Sequence, residues 1–351
     1  MASRRCCASC FSDRLIREEL IAQCDPIDQT CDYCGAENVA CVEPDRLGQW
    51  FSTLMATYEE VDEGKPIVQL LDEEWGFFRD SGLRPAEAKD LLADVLDDGE
   101  LVRRLFVPLQ HFDGGNLKRW EDLRDEMMHV NRWFLAEPMD MDRIKELLSQ
   151  LIASPSTLSD LKWYRARLLG SDAPYEVHEM GAPPPRLAGH GRANPAGIPY
   201  LYLGSTRATS VAELRPHTGE RACVAEFQLA KPDLKLADLR DPRSLISPLF
   251  GDESQMIKLR ADLPLLERLG DELTRPVHPR GAPYEYIPTQ YLCEFVKTCG
   301  FHGVMYRSSV SSDEGVNIAL FDPKLATATH VEEVSVEQVS VQISAPSNAH
   351  I

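Results

Sequence analysis

Two groups of residues in this chain have types and spacings that could carry chemistry. Near the start, Cys7-x2-Cys10 and Cys31-x2-Cys34 are separated by 20 residues. Two such knuckles donate four thiolates to one tetrahedral zinc, and a site closed by four sulfurs leaves no open coordination position, so its role is structural. Gly35 follows the second knuckle, where a tight turn would aim backbone N–H groups at the thiolates. Cys6, Cys24 and Cys41 are further candidates, Cys6 competing with Cys7 as first ligand; reduced buried thiols are the plainer alternative. In the second half, three blocks gather arginines, tyrosines, a glutamate and a serine. They are Trp163-Tyr164-Arg165-Ala166-Arg167, then GRANPAGIPYLYLGSTRATSVAEL over 191–214, and finally GVMYRSS at 303–309 with GVNIALF at 315–321. Taken singly, a helical glutamate such as Glu213 is by default solvated, each arginine is a surface residue, and Tyr164 and Tyr202 are core residues. If a few of the arginines converge, they could hold a small anion.

The elements that must position these groups follow from patterning. Between the knuckles, Leu15, Ile16, Leu20 and Ile21 give a helix an apolar side, with Ser12 or Asp13 as its cap. Residues 1–45 thus read as a four-cysteine zinc-binding module. Residues 46–155 read as a helical domain, with segments near 46–62, 67–79, 85–97, 118–135 and 141–153. In the last of these, Ile144, Leu147, Leu148, Leu151 and Ile152 form one buried stripe. Pro108 and the Asp113-Gly114-Gly115 turn separate two segments, and 153–157 marks a boundary. Strands are expected at 161–169, 200–203, 222–229, 235–239, 303–307 and 316–321, with short helices at 206–214 and 289–299 and a helical insertion over 240–275. Strands mixed with helices in no regular alternation predict an α+β domain with a mixed or antiparallel sheet over 156–345, followed by a flexible tail at 346–351.

Composition limits the function classes. With 351 residues, 43% of them hydrophobic and 26% charged, the chain has the makeup of a soluble globular protein of two or three domains. The net charge of −19 argues against a broad nucleic-acid footprint, so no direct DNA binding is expected. No run approaches the roughly 18 apolar residues of a spanning helix, and no secretory h-region follows the N-terminus, so a cytoplasmic protein without membrane contact is expected. Seven of the ten cysteines fall within the first 41 residues, which without a secretory signal favours metal over disulfides.

The YRAR block, the 191–214 block and the GVMYRSS/GVNIALF pair, in that order, resemble the RES domain family, named for an arginine, a glutamate and a serine in one pocket. The resemblance implies an ADP-ribosyltransferase-like fold and an NAD-degrading enzyme, a glycohydrolase or phosphorylase found among bacterial toxins. It implies Glu213 as the carboxylate beside the ribosyl cation, Arg165 and Arg192 on the pyrophosphate with Arg167 a weaker third, and Tyr202 on the nicotinamide ribose side. Tyr164 is the second aromatic candidate, and Ser308 is an orienting hydroxyl with Ser309 beside it. Asn317 would hold the same loop through backbone bonds, while Gly191, Gly197 and Gly204 would let backbone approach the ligand. NAD is then the substrate and zinc the structural ion. An antitoxin or other regulatory partner and a homo-oligomer are compatible with this reading.

The front of the chain also resembles the cysteine-rich N-terminal domain that precedes RES or HEPN domains. Arg124-Asp125-x3-His129 has the arginine-polar-x3-histidine form of HEPN ribonucleases, although positions five apart do not share a helix face. Protein ADP-ribosylation, and RNA cleavage or partner binding through the N-terminal helical domain, are the alternatives to NAD degradation.

Overall fold

The computed structural model describes residues 4–109, 115–170, 173–231, 233–278, 280–310 and 315–340. The tail at 346–351 and the Asp113-Gly114 part of the expected turn lie outside the described residues. The fold class is α+β. Contacts divide the chain into two compact units, one of Met1–Glu126, Phe134–Met141 and Asp241–Gly270, the other of Met127–Trp133, Asp142–Arg240 and Asp271–Ile351.

In the first unit, strands Cys6–Cys7 and Ile27–Gln29 flank Val39–Val42 in an antiparallel sheet. The helix between the knuckles is capped by Asp13, whose carboxylate accepts from Ile16 N–H at 3.0 Å, and it contains a π-turn over Ile16–Leu20. Ser12, the other candidate cap, instead accepts from Asp80 N–H at 2.8 Å. The stretch expected to be wholly helical contains a second sheet, in which Tyr58–Val61 and Lys65–Pro66 pair with Leu105–Pro108. Tyr58–Val61 falls where a helix was expected over 46–62, which ends instead at Met55. The reason is tertiary. The Tyr58 hydroxyl donates to Glu74 at 2.6 Å and accepts from the Trp75 indole at 3.0 Å, and Arg260 closes on the same carboxylate at 3.0 Å. Arg260 belongs to helix Glu253–Thr274, so the expected insertion is helical and its residues 241–270 pack within this unit.

The second unit is built on a seven-stranded sheet in the order Leu236–Asp238, Gly303–Arg307, Val316–Leu320, Leu201–Gly204, Trp163–Leu168, Arg221–Leu229, Ala326–Ser335. Only the first pair is parallel. Alternation sends Trp163, Leu201, Leu203, Met305, Ile318 and Leu320 to one buried face, where each contributes about 1.5–3 kcal/mol by leaving water. Helix Met141–Gln150 buries Ile144, Leu147 and Leu148 as its pattern predicts. It stops before 153 because the chain there bonds an edge strand, Ala153 N–H to Leu236 at 3.0 Å and Asp238 N–H to Leu151 at 2.7 Å.

The opposite face positions the site. Tyr306, Asn317, Gly204 and Tyr164 stand directly opposite one another on four successive strands and so share one face. Between Leu201–Gly204 and Trp163–Leu168 the only paired residues are Tyr164 and Gly204. Beyond that pair the two strands are not paired with each other.

Candidate active site

The row Tyr306–Asn317–Gly204–Tyr164 is the floor of a pocket of about 370 Å³, a size within the usual range for small-molecule sites. Its walls include Arg165, His190, Gly191, Arg192, Tyr202, Glu213, Arg215 and Tyr286. Glu213 is carried in by the short helix Arg207–Ala212, which Thr206 caps by accepting from Thr209 N–H at 2.9 Å. Val211 and Leu214 seat that helix on Tyr164, Ala166 and Val224. A Cβ on Gly204 would lie 3.0 Å from Ser210 N, so the helix can settle this close to the sheet only over glycine.

Oε1 of Glu213 accepts two bonds, from the Ser308 hydroxyl at 2.7 Å and from the Asn317 amide at 2.5 Å. The acid is thereby oriented by two neutral donors, and Oε2 is left for a ligand. Asn317 acts through its side chain, not through the backbone bonds expected from sequence.

The arginines separate into different roles. Arg165 donates through one nitrogen to the carbonyls of Met180 and Gly181, both at 2.7 Å, and Arg167 donates to Glu179 O at 2.6 Å. Both therefore clamp the turn Val177–Met180, but only Arg165 also lines the pocket. Burial, and secondarily the charge of Arg167, pull the Arg165 guanidinium down to about 10, which leaves it cationic at neutral pH. Arg167 lies over the Tyr175 ring at 4.1 Å instead. Arg192 donates to Arg275 O at 2.7 Å and sits 5.4 Å from the Tyr286 ring centroid. Arg215, which no motif singled out, lines the pocket with φ +50°. Among the described residues, Arg165, Arg192 and Arg215 have no acidic side chain within ion-pair distance. An acidic chain thus keeps three unneutralised cations around one carboxylate.

The loop that brings Arg192 in is internally fastened. Asn194 donates to Gly189 O at 3.0 Å, Pro195 O at 3.1 Å and Ile198 O at 2.9 Å, and accepts from the Tyr202 hydroxyl at 2.7 Å. Ala193 N–H donates to the same hydroxyl at 2.9 Å. The Tyr202 hydroxyl is thus committed to the loop, and the residue offers a ligand its ring. Gly191 must be glycine, because a Cβ there would meet the Asn194 and Tyr202 oxygens. Gly197, at φ +85°, serves a turn outside the pocket lining.

In the first unit, the Sγ atoms of Cys7, Cys10, Cys31 and Cys34 all lie within 4.8 Å of one another, a group that could hold a metal ion. Cys7, Cys10 and Cys31 are buried. Bonds from Cys10 and Cys7, followed by the backbone N–H groups of Cys34 and Tyr33, pull the Cys31 thiol well below its ordinary value. Gly35 is at φ +73°, and its own N–H goes to Cys31 O at 3.1 Å, not to a sulfur. Cys6 is buried beside the cluster and is not one of the four. Arg124 and His129 both lie on helix Gly115–His129, where His129 packs on Tyr284 at 5.7 Å between ring centroids.

Sequence reasoning missed His190, Arg215, Tyr286 and Tyr306. A signal existed for Tyr306, since it lies on strand Gly303–Arg307 two residues before Ser308, the spacing of one face of extended chain. The others come from loops and helix ends that no local pattern ties to the site.

No curated protein matches the chain. Among solved structures it is similar to one in the crystal structure of the M. tuberculosis MbcT–MbcA toxin–antitoxin complex, with 14% identity and a TM-score of 0.29, covering 54% of this chain and 92% of that one. Residues 162–343 match the family described as RES domain. That span is more than half of the sequence and contains every residue of the pocket, and the chain belongs to the RES domain family.

Proposed function

We propose that this pocket cleaves the nicotinamide–ribosyl bond of NAD, and that the protein is an NAD-depleting toxin or defence effector. The observation that carries the reading is a carboxylate, oriented by Ser308 and Asn317, facing a pocket whose other formal charges are three arginines without acidic partners. NAD presents the complementary pattern of an anionic pyrophosphate and a cationic nicotinamide ribosyl end.

The chemistry needs little else. The C1′–N bond breaks with its electron pair passing to the pyridinium nitrogen, so nicotinamide leaves neutral and requires no general acid. Positive charge moves onto the ribosyl ring, where Oε2 of Glu213 stabilises it. Water or phosphate then attacks C1′; with water, its proton passes to Glu213 or to solvent and the product is ADP-ribose. In this scheme Arg165, Arg192 and Arg215 hold the pyrophosphate, and the rings of Tyr202 and Tyr164 border the nicotinamide riboside.

The acceptor is tested by following products from NAD with and without inorganic phosphate. ADP-ribose under both conditions identifies a glycohydrolase, and a phosphorylated ADP-ribose formed only with phosphate identifies a phosphorylase. An intact-mass increase on a co-expressed protein, without either free product, would favour the transferase alternative. Release of no nicotinamide under any condition would sink the proposal.

Arg215 provides a separate test. Among the described residues, the other non-glycine positions with positive φ are Asp25, Asn38 and Asp97, types that tolerate this region well. An arginine there is strained by about 1 kcal/mol, and glycine is the favoured residue just beyond a helix end. Arg215→Gly is expected to leave the melting temperature unchanged or raised by up to about 3 °C. It should also raise KM for NAD about tenfold, as expected for loss of one charge-assisted bond. A lowered melting temperature with unchanged KM would assign Arg215 to structure alone.

We read the four-cysteine cluster as a structural zinc site. Four sulfurs held this close fit a tetrahedral thiolate shell, and the ion would fasten the two knuckles without taking part in the reaction.

A further inference from the structure

Tyr306 is 5% exposed, yet its hydroxyl has no hydrogen-bond partner among the described residues and belongs to the pocket lining. The hydroxyl opens to the pocket and is available to a ligand there. Burial, followed by the nearby Tyr202 and Glu213, raises its pKa well above the ordinary tyrosine value, so it is a neutral donor. Tyr202, by contrast, has its hydroxyl engaged twice within the protein.

The surroundings define what Tyr306 can bind. It stands directly opposite Asn317, whose amide fixes Oε1 of Glu213. A hydroxyl donor and the unengaged Oε2 acceptor therefore border the same part of the pocket. A ligand group that satisfies both must accept one hydrogen bond and donate another. A carbonyl cannot donate and an ammonium cannot accept; a carboxamide does both through two atoms, and a sugar hydroxyl does both through a single oxygen that can bridge the two groups.

We propose that Tyr306 is a catalytic residue that donates to a hydroxyl of the nicotinamide-bearing ribose, the same hydroxyl that donates to Glu213. This assignment rests on the NAD reading and adds to it the feature by which the pocket selects a ribosyl substrate. The bridge holds C1′ against the carboxylate, and it shortens as the ring gains charge and the hydroxyl becomes a stronger donor toward Glu213.

The test is Tyr306→Phe in the full-length protein, which removes only the oxygen. Turnover of NAD is compared with turnover of two analogues lacking the 2′- or the 3′-hydroxyl of the nicotinamide ribose. Relative to wild type, kcat/KM for NAD should fall about 10- to 30-fold, mainly through kcat, while for the analogue lacking the bridging hydroxyl it should change less than about threefold. The melting temperature without substrate should change little, because among the described residues the hydroxyl makes no bond within the protein. Equal losses on NAD and both analogues, no loss on NAD, or a melting temperature lowered by more than about 5 °C would each overturn the assignment and leave the NAD reading standing. A wild-type protein that releases no nicotinamide would overturn the NAD reading itself, and this assignment with it.

Discussion

Glu213→Gln is expected to lower NAD turnover by about 10³-fold, on the order of 4 kcal/mol of lost transition-state stabilisation. The amide keeps the shape of the side chain and one oxygen that can accept from Ser308 and Asn317. What it lacks is charge. In the bound state the positive charge resides on nicotinamide, and in the transition state it has moved to the ribosyl ring, so a carboxylate placed at that ring acts chiefly on the rate. KM should therefore change by less than about fivefold. The melting temperature should move little, since Glu213 is exposed at the end of a short helix and takes no part in the core. Steady-state kinetics beside a thermal melt checks both parts. An equally active glutamine variant would mean that the carboxylate does not face the reacting carbon.

Loss of the proposed zinc is the second large expected effect. Removing zinc with a strong chelator, or replacing Cys31 by Ser, is expected to unfold much of the first unit. Structural zinc contributes about 10–16 kcal/mol of apparent binding energy in small domains, comparable to the whole stability of an ordinary one. The cluster is built into the core: Phe11 directly follows Cys10 and meets Phe51 and Phe78 at 6.3 and 6.1 Å between centroids. Splaying the knuckles would expose that aromatic group. Metal analysis should give one zinc per chain. The chelated protein should lose its first melting transition and become protease-sensitive within residues 4–109. A metal-free preparation that melts like the untreated wild type would show the thiols to be merely buried.

The sequence discloses those parts of this molecule that repeat or that follow a known motif. Strands Arg221–Leu229 and Gly303–Arg307 are long enough, nine and five residues, for alternation to stand out, and helix Met141–Gln150 carries a clear stripe, whereas strand Ala326–Ser335 was not expected from the sequence. Strands Tyr58–Val61 and Leu105–Pro108 are four residues each and lie far apart in the chain, so neither has a period to detect before its partner is known. At the site, the chain around Glu213 and Ser308 could be located by motif. The bond between them could not, because it joins residues 95 apart in sequence. The arginine pair shows a further limit. Arg165 and Arg167 alternate onto one side of their strand and hold the same turn, but only the first also reaches the pocket. Arg215 was hidden for a different reason: its place in the left-handed region argues against arginine locally, and only the position of the pocket gives it a purpose.

The central claim is that Glu213, in this ring of arginines, breaks the bond between nicotinamide and ribose. It is tested most directly by measuring free nicotinamide over time after NAD is mixed with purified wild-type protein or with Glu213→Gln. Release by wild type, matched mole for mole by loss of NAD and reduced about 10³-fold in the variant, is the predicted result. Equal release by both proteins, or none by wild type while it remains folded and zinc-loaded, would contradict it.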